Sequence, residues 1–231
     1  MARIDKGALT RTEIIAEATK QFLEKGYSQT SISAIAKALE MSPGNLTFHY
    51  PTKEHLLAVL TDMLCDYQWK VMKQEANDGL SLVMAVCLEL ATMTGACEED
   101  AIIKDFFLSA YSNPMCLAII RKNDVARAKE VFREYCPDWT DEQFTEAEIL
   151  VSGIEFATLM TAGDPVSLET RIAGAVSSIL EIFGVPEKTR AEKLKKVFAM
   201  DYRNLCKQVL AGFKEYVKTT NDQTFRSLIN I

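Results

Sequence analysis

The sequence predicts an all-α protein in which a small N-terminal head of three short helices is followed by a larger helical body. Three observations carry this. Apolar residues recur at three- and four-residue spacing along nearly the whole chain, no alternating β-type run competes with them, and breaks rich in Gly, Pro, Asn and Asp divide the pattern into helix-sized lengths. There is no internal repeat and no low-complexity segment.

The first helix is expected in "RTEIIAEATKQFLEKG", where Ile14, Ile15, Ala18, Phe22 and Leu23 share a face. Thr10 and Glu13 form a capping-box pattern at its start and Gly26 is its stop. "SISAIAKALE" repeats the pattern through Ile32, Ile35, Ala36 and Leu39 behind Ser31 as N-cap. Ser42 and Pro43 then open a short third helix as N-cap and first residue, and Tyr50-Pro51 ends it. Its Leu46 and Tyr50, at i and i+4, turn inward onto Ile35 and Leu39.

A long helix starts near Lys53 and continues into "LCDYQWKVMKQEAND". Beyond Asn77-Asp78-Gly79, helices are expected over roughly 80–96, 98–112, 115–135, 141–162, 167–183 and 188–218. They are separated at Asn113-Pro114, Cys136-Pro137-Asp138, Gly163-Asp164-Pro165 and Gly184-Val185-Pro186. This places a head over residues 1–52, joined through the helix near 53 to a body over 53–231.

The chain has 231 residues, 48% of them hydrophobic and 25% charged, with a net charge of −6. Residues 1–60 hold seven Lys/Arg against six Asp/Glu, and the remainder holds 19 against 26. That asymmetry fits an anion-binding head on an acidic body. Six widely spaced cysteines without a Cys-x-x-Cys pair read as small hydrophobes in a reducing compartment. The start "MARIDKGALTRTE" has no signal-peptide core and no apolar run reaches membrane-spanning length, so a cytoplasmic location is expected.

Catalytic signatures are missing: no Gly-rich phosphate loop after a strand, no G-x-S-x-G and no H-E-x-x-H. His49 and His55, six apart, do not share a helix face, and no cysteine or carboxylate cluster stands at zinc-ligand spacing. Neither an enzyme nor a cofactor or metal protein is expected. The charged run Glu187–Phe198 reads as a solvated helix face.

Two helices joined by a turn of three or four residues form the helix-turn-helix arrangement, with the second helix presented outward. Here Gly44, Asn45 and Phe48 fall on the outward face, flanked by Thr47 and His49. Gly44 allows close backbone approach, Asn45 matches an adenine edge, and Thr47 and Phe48 suit a thymine methyl. Lys53 sits in the first turn of its helix, where a cation opposes the macrodipole by about 0.3–1 kcal/mol unless a phosphate docks there. Ser31, Ser42, Pro43, His49 and Thr52 complete the rim.

The stretch "TSISAIAKALEMSPGNLTFHYPTKEHL" resembles the DNA-binding domain of the TetR family of bacterial transcriptional regulators. The resemblance rests on "ATKQFLEKGY", the Ile35-Ala36 pair, Ser42-x-Gly44-x-Leu46, Phe48-His49-Tyr50 and Lys53-Glu54-x-x-Leu56 in order. Thr47 stands where the family usually has an aromatic, and Glu40 where a glycine is common. The resemblance implies a homodimer on a double-stranded operator, two recognition helices in successive major grooves, and a C-terminal domain that senses a small molecule.

The expected function is therefore a transcriptional regulator of repressor type, released from a palindromic operator by a small apolar effector. The alternative is a helix-turn-helix protein without effector, its body acting as a protein-interaction module. Most Met and aromatic residues of the body are core, with a pocket expected among Trp69, Met84, Leu88, Phe107, Tyr111, Phe156 and Met160. Acidic excess and the lack of a basic cluster in the body favour a neutral or cationic effector. A dimer face is expected on the helices over 141–162 and 167–183, through Gly153, Ile154, Ala157, Ile172, Val176 and Ile179.

Overall fold

The computed structural model describes residues 6–76, 81–161 and 165–220, and these form helices and connections without strands. The helices are α1 (Lys6–Lys25), α2 (Ile32–Ala38), α3 (Pro43–His49), α4 (Lys53–Ala76), α5 (Leu82–Glu99), α6 (Ala101–Ser112), α7 (Pro114–Phe132), α8 (Asp141–Met160), α9 (Leu168–Ile182), α10 (Glu187–Ala199) and α11 (Tyr202–Thr219). The expected breaks at Asn77-Asp78-Gly79 and Gly163-Asp164 lie outside the described residues.

Most helix starts follow from short polar side chains that satisfy free backbone donors. Asp100 accepts from Ile102 and Ile103 at the start of α6, and Asn113 accepts from Met115 and Cys116 ahead of Pro114 in α7. Thr140 and Gln143 close a reciprocal capping box at α8, and Ser167 caps α9. Two expectations are corrected. Helix α1 begins at Lys6, so Thr10 and Glu13 lie inside it rather than at its start. The single helix expected over 188–218 is two helices, because Asp201 accepts from Asn204 N–H and starts α11 after an extended Met200. No Gly or Pro marks that break, and apolar spacing runs through it unaltered.

The three head helices bury Ile14, Ile15, Ala18, Phe22, Ile35, Ala36, Leu46 and Tyr50 almost completely. That core continues without interruption into α4 (Leu56, Leu57, Leu60), α6 (Phe106, Phe107) and α11 (Phe213). A second cluster fills the far end of the body, where α5, α7, α8 and α9 pack around Met84, Leu88, Phe132, Phe144 and Phe183. With 24 residues, α4 runs about 36 Å from the edge of the head deep into the body. One rigid rod thus serves both ends.

Candidate nucleic-acid interface and interior cavity

Helix α3 is built to present one face. Ser42 Oγ accepts from Asn45 N–H at 3.1 Å, Pro43 occupies the first turn, and extended Tyr50 ends the helix. Leu46 is its one fully buried residue, and its truncation to alanine would cost about 2–5 kcal/mol of head packing. Pro43, Gly44, Asn45 and Phe48 are exposed, Phe48 by 82%, and a Cβ placed on Gly44 meets nothing within 4 Å. A bare phenyl ring costs about 2 kcal/mol of unrealised burial, which a monomer gains nothing by leaving in water.

The rim residues are partly committed to local structure. Ser31 caps α2 by accepting from Ala34 N–H, Thr47 Oγ1 donates to the Gly44 carbonyl at 3.2 Å, and Thr52 Oγ1 pairs with His55 Nδ1 at 3.0 Å. Partial burial and the nearby Arg11 cation hold His49 below its ordinary pKa, so it is neutral near pH 7. Lys53 corrects the sequence reading most. Its ammonium donates to the carbonyls of Tyr27 and Thr30, each at 3.0 Å, and lies 4.0 Å from the Tyr27 ring centroid. The lysine is placed against the macrodipole because two loop carbonyls need its charge. It braces the α1–α2 loop, with one of three N–H groups left for a phosphate.

Arg11, which sequence reasoning did not single out, stands near enough to His49 for its charge to act on the ring. Its only sequence signal was its place in the α1 turn before the Ile14-Ile15 pair. Head and body are joined by a second unforeseen residue, Asp105 of α6. Its carboxylate accepts from Ser28 N–H at 2.8 Å and Ser28 Oγ at 2.5 Å, against Gly26 in the left-handed region (φ +93°). A Cβ on Gly26 would stand 2.9 Å from the Asp105 oxygen, so the loop needs glycine twice over. Helix α4 is therefore not alone in linking the two parts.

Inside the body, a cavity of about 50 Å³ lies between α4, α5, α6, α7 and α8, walled by Leu64, Met93, Phe106, Phe107, Tyr111 and Ile120. A smaller one of about 40 Å³ adjoins it, walled by Trp69, Val86, Phe132, Ile179 and Phe183. Of the expected pocket residues, Phe107 and Tyr111 face the first and Trp69 the second. Met84 and Leu88 are fully buried in close-packed core, and Phe156 packs at the edge of the head-side cluster. Met160 is 51% exposed and belongs to the outer surface.

The expected dimer residues divide in two. Gly153 and Ala157 are exposed and Ile154 is half-buried on α8, in line with exposed Ile149, Leu150 and Met160. Ile172, Val176 and Ile179 instead point into the chain's own core, where they are at most 2% exposed. Helix α9 turns Gly174, Ser178 and Glu181 outward. Among the described residues no cluster could hold a metal ion, and no helix is long and apolar enough to cross a membrane.

Comparison with known proteins places this geometry. Residues 14–60 match the family described as "Bacterial regulatory proteins, tetR family". The HTH-type transcriptional regulator UidR of Escherichia coli strain K12 is 27% identical over 114 residues, 48% of this chain and 57% of the relative. The match thus spans little more than half the length of that relative. Among solved structures, RolR in complex with resorcinol superposes with a TM-score of 0.67 at 17% identity, covering 83% of this chain and 96% of that one. Thermus thermophilus FadR, a repressor in complex with lauroyl-CoA, gives 0.55 at 19% identity, covering 75% and 92%. At such identities these structures show a shared fold.

Proposed function

We propose that this chain, a TetR-family protein by its head and fold, is a ligand-responsive repressor that binds a palindromic operator as a homodimer. Residues 1–52 act as the DNA-binding domain and 53–231 as the effector-binding and dimerisation domain. The observation that carries the reading is the outward face of α3, where Gly44, Asn45 and Phe48 stand free of the core on a helix capped at both ends. A seven-residue helix of this kind is short, open at its first turn and bulky at its last. Asn45 would pair with a base edge and Phe48 with a thymine methyl, while Arg11, Ser31, Thr52 and the remaining Lys53 N–H position the duplex.

Effector control is supported by the interior cavity, because α4 lines it through Leu64 and Cys65 about 16 Å along the rod from Lys53. The neighbours' bound ligands are consistent with that reading in this chain. The alternative, a body that only docks another protein, would find its surface in the apolar stripe of α8. A two-fold partner covers that stripe equally well, and the apolar-walled cavity beside α4 favours the sensor.

Selection of duplexes by the purified protein, followed by titration of two variants, tests the DNA reading. Asn45→Ala should lose preference at one base position by about 1–3 kcal/mol with the salt slope unchanged. Lys53→Ala should weaken all duplexes alike and lower the melting temperature of the protein, since it removes the loop brace as well as a cation. If no duplex is enriched, or if Asn45→Ala leaves base preference intact, α3 is not the reading helix.

A further inference from the structure

We propose that the interior of the body recognises an organic cation, an amine with a short apolar chain, through the carboxylates of Glu148 and Glu155. This deepens the ligand-responsive reading and rests on it. Three adjoining cavities, of about 50, 40 and 10 Å³, all border Glu155. Glu89, Asp124 and Arg127 border the two larger ones, and Glu148 borders the middle one. Four carboxylates and one guanidinium therefore meet at these cavities, Glu148 buried and the other four partly exposed.

The guanidinium is spent. Arg127 pairs with Glu89 at 3.2 Å and Asp124 at 3.1 Å, donates to the Cys65 carbonyl, and lies 5.2 Å from the Trp69 ring. The other two carboxylates, Glu148 and Glu155, make no salt bridge among the described residues, although Arg127 still attracts Glu148 through space. Glu155 accepts a hydrogen bond from Tyr111 Oη at 2.9 Å. Glu148 is 3% exposed, faces the cavity, and makes no hydrogen bond among the described residues. A buried carboxyl with no partner is an expensive feature unless something supplies the missing charge.

Every element around the cavity adds acid rather than base, apart from Arg127: Cys65 on α4, Glu89 on α5, Tyr111 on α6, Asp124 on α7, and Glu148 and Glu155 on α8. Burial, with mutual repulsion, pushes Glu148 up to about 8 and Asp124 up to about 7 and raises Glu155, while burial alone raises Glu89. Without a ligand the cluster keeps protons in place of a cation. An entering ammonium would displace protons into solvent, and its affinity would rise with pH through the range where Asp124 and Glu148 titrate. The carboxylates repel an anion, although the Gln68 amide and the Trp69 indole border the two larger cavities as neutral groups, and no group of described residues is arranged to hold a metal ion. The walls of Trp69, Val86, Ile179 and Phe183 suit a slender alkyl or aryl part.

The test uses three small probes of similar shape, n-butylamine, 1-butanol and butyrate, titrated calorimetrically into the full chain without DNA. At pH 8 the amine should bind at least about tenfold more tightly than the alcohol, with butyrate weakest, as expected for a charge-assisted contact. Buffers of different ionisation enthalpy should reveal proton release, and amine affinity should fall as pH is lowered from 8 to 6. Glu148→Gln should cost the amine about tenfold, whereas Asp141→Asn, on the outer face of α8, should cost nothing. The pH arm decides the matter alone if Glu148→Gln does not fold. Equal binding of alcohol and amine, preference for butyrate, or no amine binding at tens of millimolar overturns the proposal. Such a result would leave the DNA reading standing. A protein that binds the amine yet enriches no duplex would do the reverse.

Discussion

Glu40 carries a backbone conformation that its side chain resists. At φ +54° it is the one non-glycine residue in the left-handed region among the described residues. Its position explains why. Met41 N–H reaches the Ala36 carbonyl and Glu40 N–H the Lys37 carbonyl, the paired bonds that end a helix when the residue past the cap is left-handed. The same pair of bonds ends α9, where Val185 reaches Leu180 and Gly184 reaches Glu181, with glycine at φ +68°. Glu40→Gly should stabilise the protein by about 0.5–1 kcal/mol, the Cβ strain relieved less the entropy glycine adds to the unfolded chain. It also deletes an exposed negative charge beside α3, so duplex affinity should rise, most strongly at low salt. A lower melting temperature, or DNA affinity that falls, would contradict both arguments.

At the scale of elements, α6 connects the two proposed sites. Asp105 holds the Gly26–Ser28 turn of the head, and within the next two turns Phe107 and Tyr111 line the cavity. A ligand that shifts α6 must therefore shift the head or break those bonds. Asp105→Ala should preserve duplex binding and amine binding taken separately while reducing their mutual effect, read as the ratio of n-butylamine affinities with and without saturating operator. A ratio unchanged from the parent protein would show that the signal passes through α4 or α11 rather than through this contact. The acidic groups of α7 and α8 carry a second consequence. Glu148 and Asp124 bind protons more tightly folded than unfolded, so the folded state holds more protons between about pH 4 and 8. Stability from these groups is fully present below the unfolded pKa and is lost as pH rises through the folded values. The ligand-free protein should melt at a lower temperature at pH 8.5 than at pH 6. Glu148→Gln should flatten much of that slope, by on the order of a few kcal/mol at the alkaline end. A melting temperature that climbs with pH over this range would reverse the assignment.

For the whole molecule, two reading helices about 34–36 Å apart require two protomers. The surface that can join them is the outer stripe of α8, Ile149, Leu150, Gly153, Ala157 and Met160, beside Gly174 and Ser178 of α9. Gly153 and Gly174 have open space around them, which lets a partner helix approach closely. Leu150→Arg should give a chain that melts near the parent temperature, sediments as a monomer at micromolar concentration and binds half-sites weakly. Val176→Arg and Ile179→Arg should instead unfold the body, because both side chains are core. Sedimentation of the parent chain as a monomer at micromolar concentration would remove the dimer from the reading.

Local chemistry was legible in the sequence. Capping residues, Pro at helix starts and the i, i+4 pair Leu46 and Tyr50 depend on neighbours within a turn or two, so the head, its turn and the outward face of α3 could be read from order alone. What the tertiary structure decided were the directions of the body helices and the partners of charged groups. Apolar residues lie on nearly every side of α8, so periodicity could not say that Met160 faces out while Glu148 and Glu155, seven apart, face in. The inward turn of Val176 and the outward turn of Gly174 follow from what α5 and α8 leave uncovered. Lys53 reads as a free cation until Tyr27 and Thr30, more than twenty residues earlier, bring their carbonyls to it. Interactions within a helical turn are written in the chain, whereas the sign and depth of a buried charge are set by helices that meet only after folding.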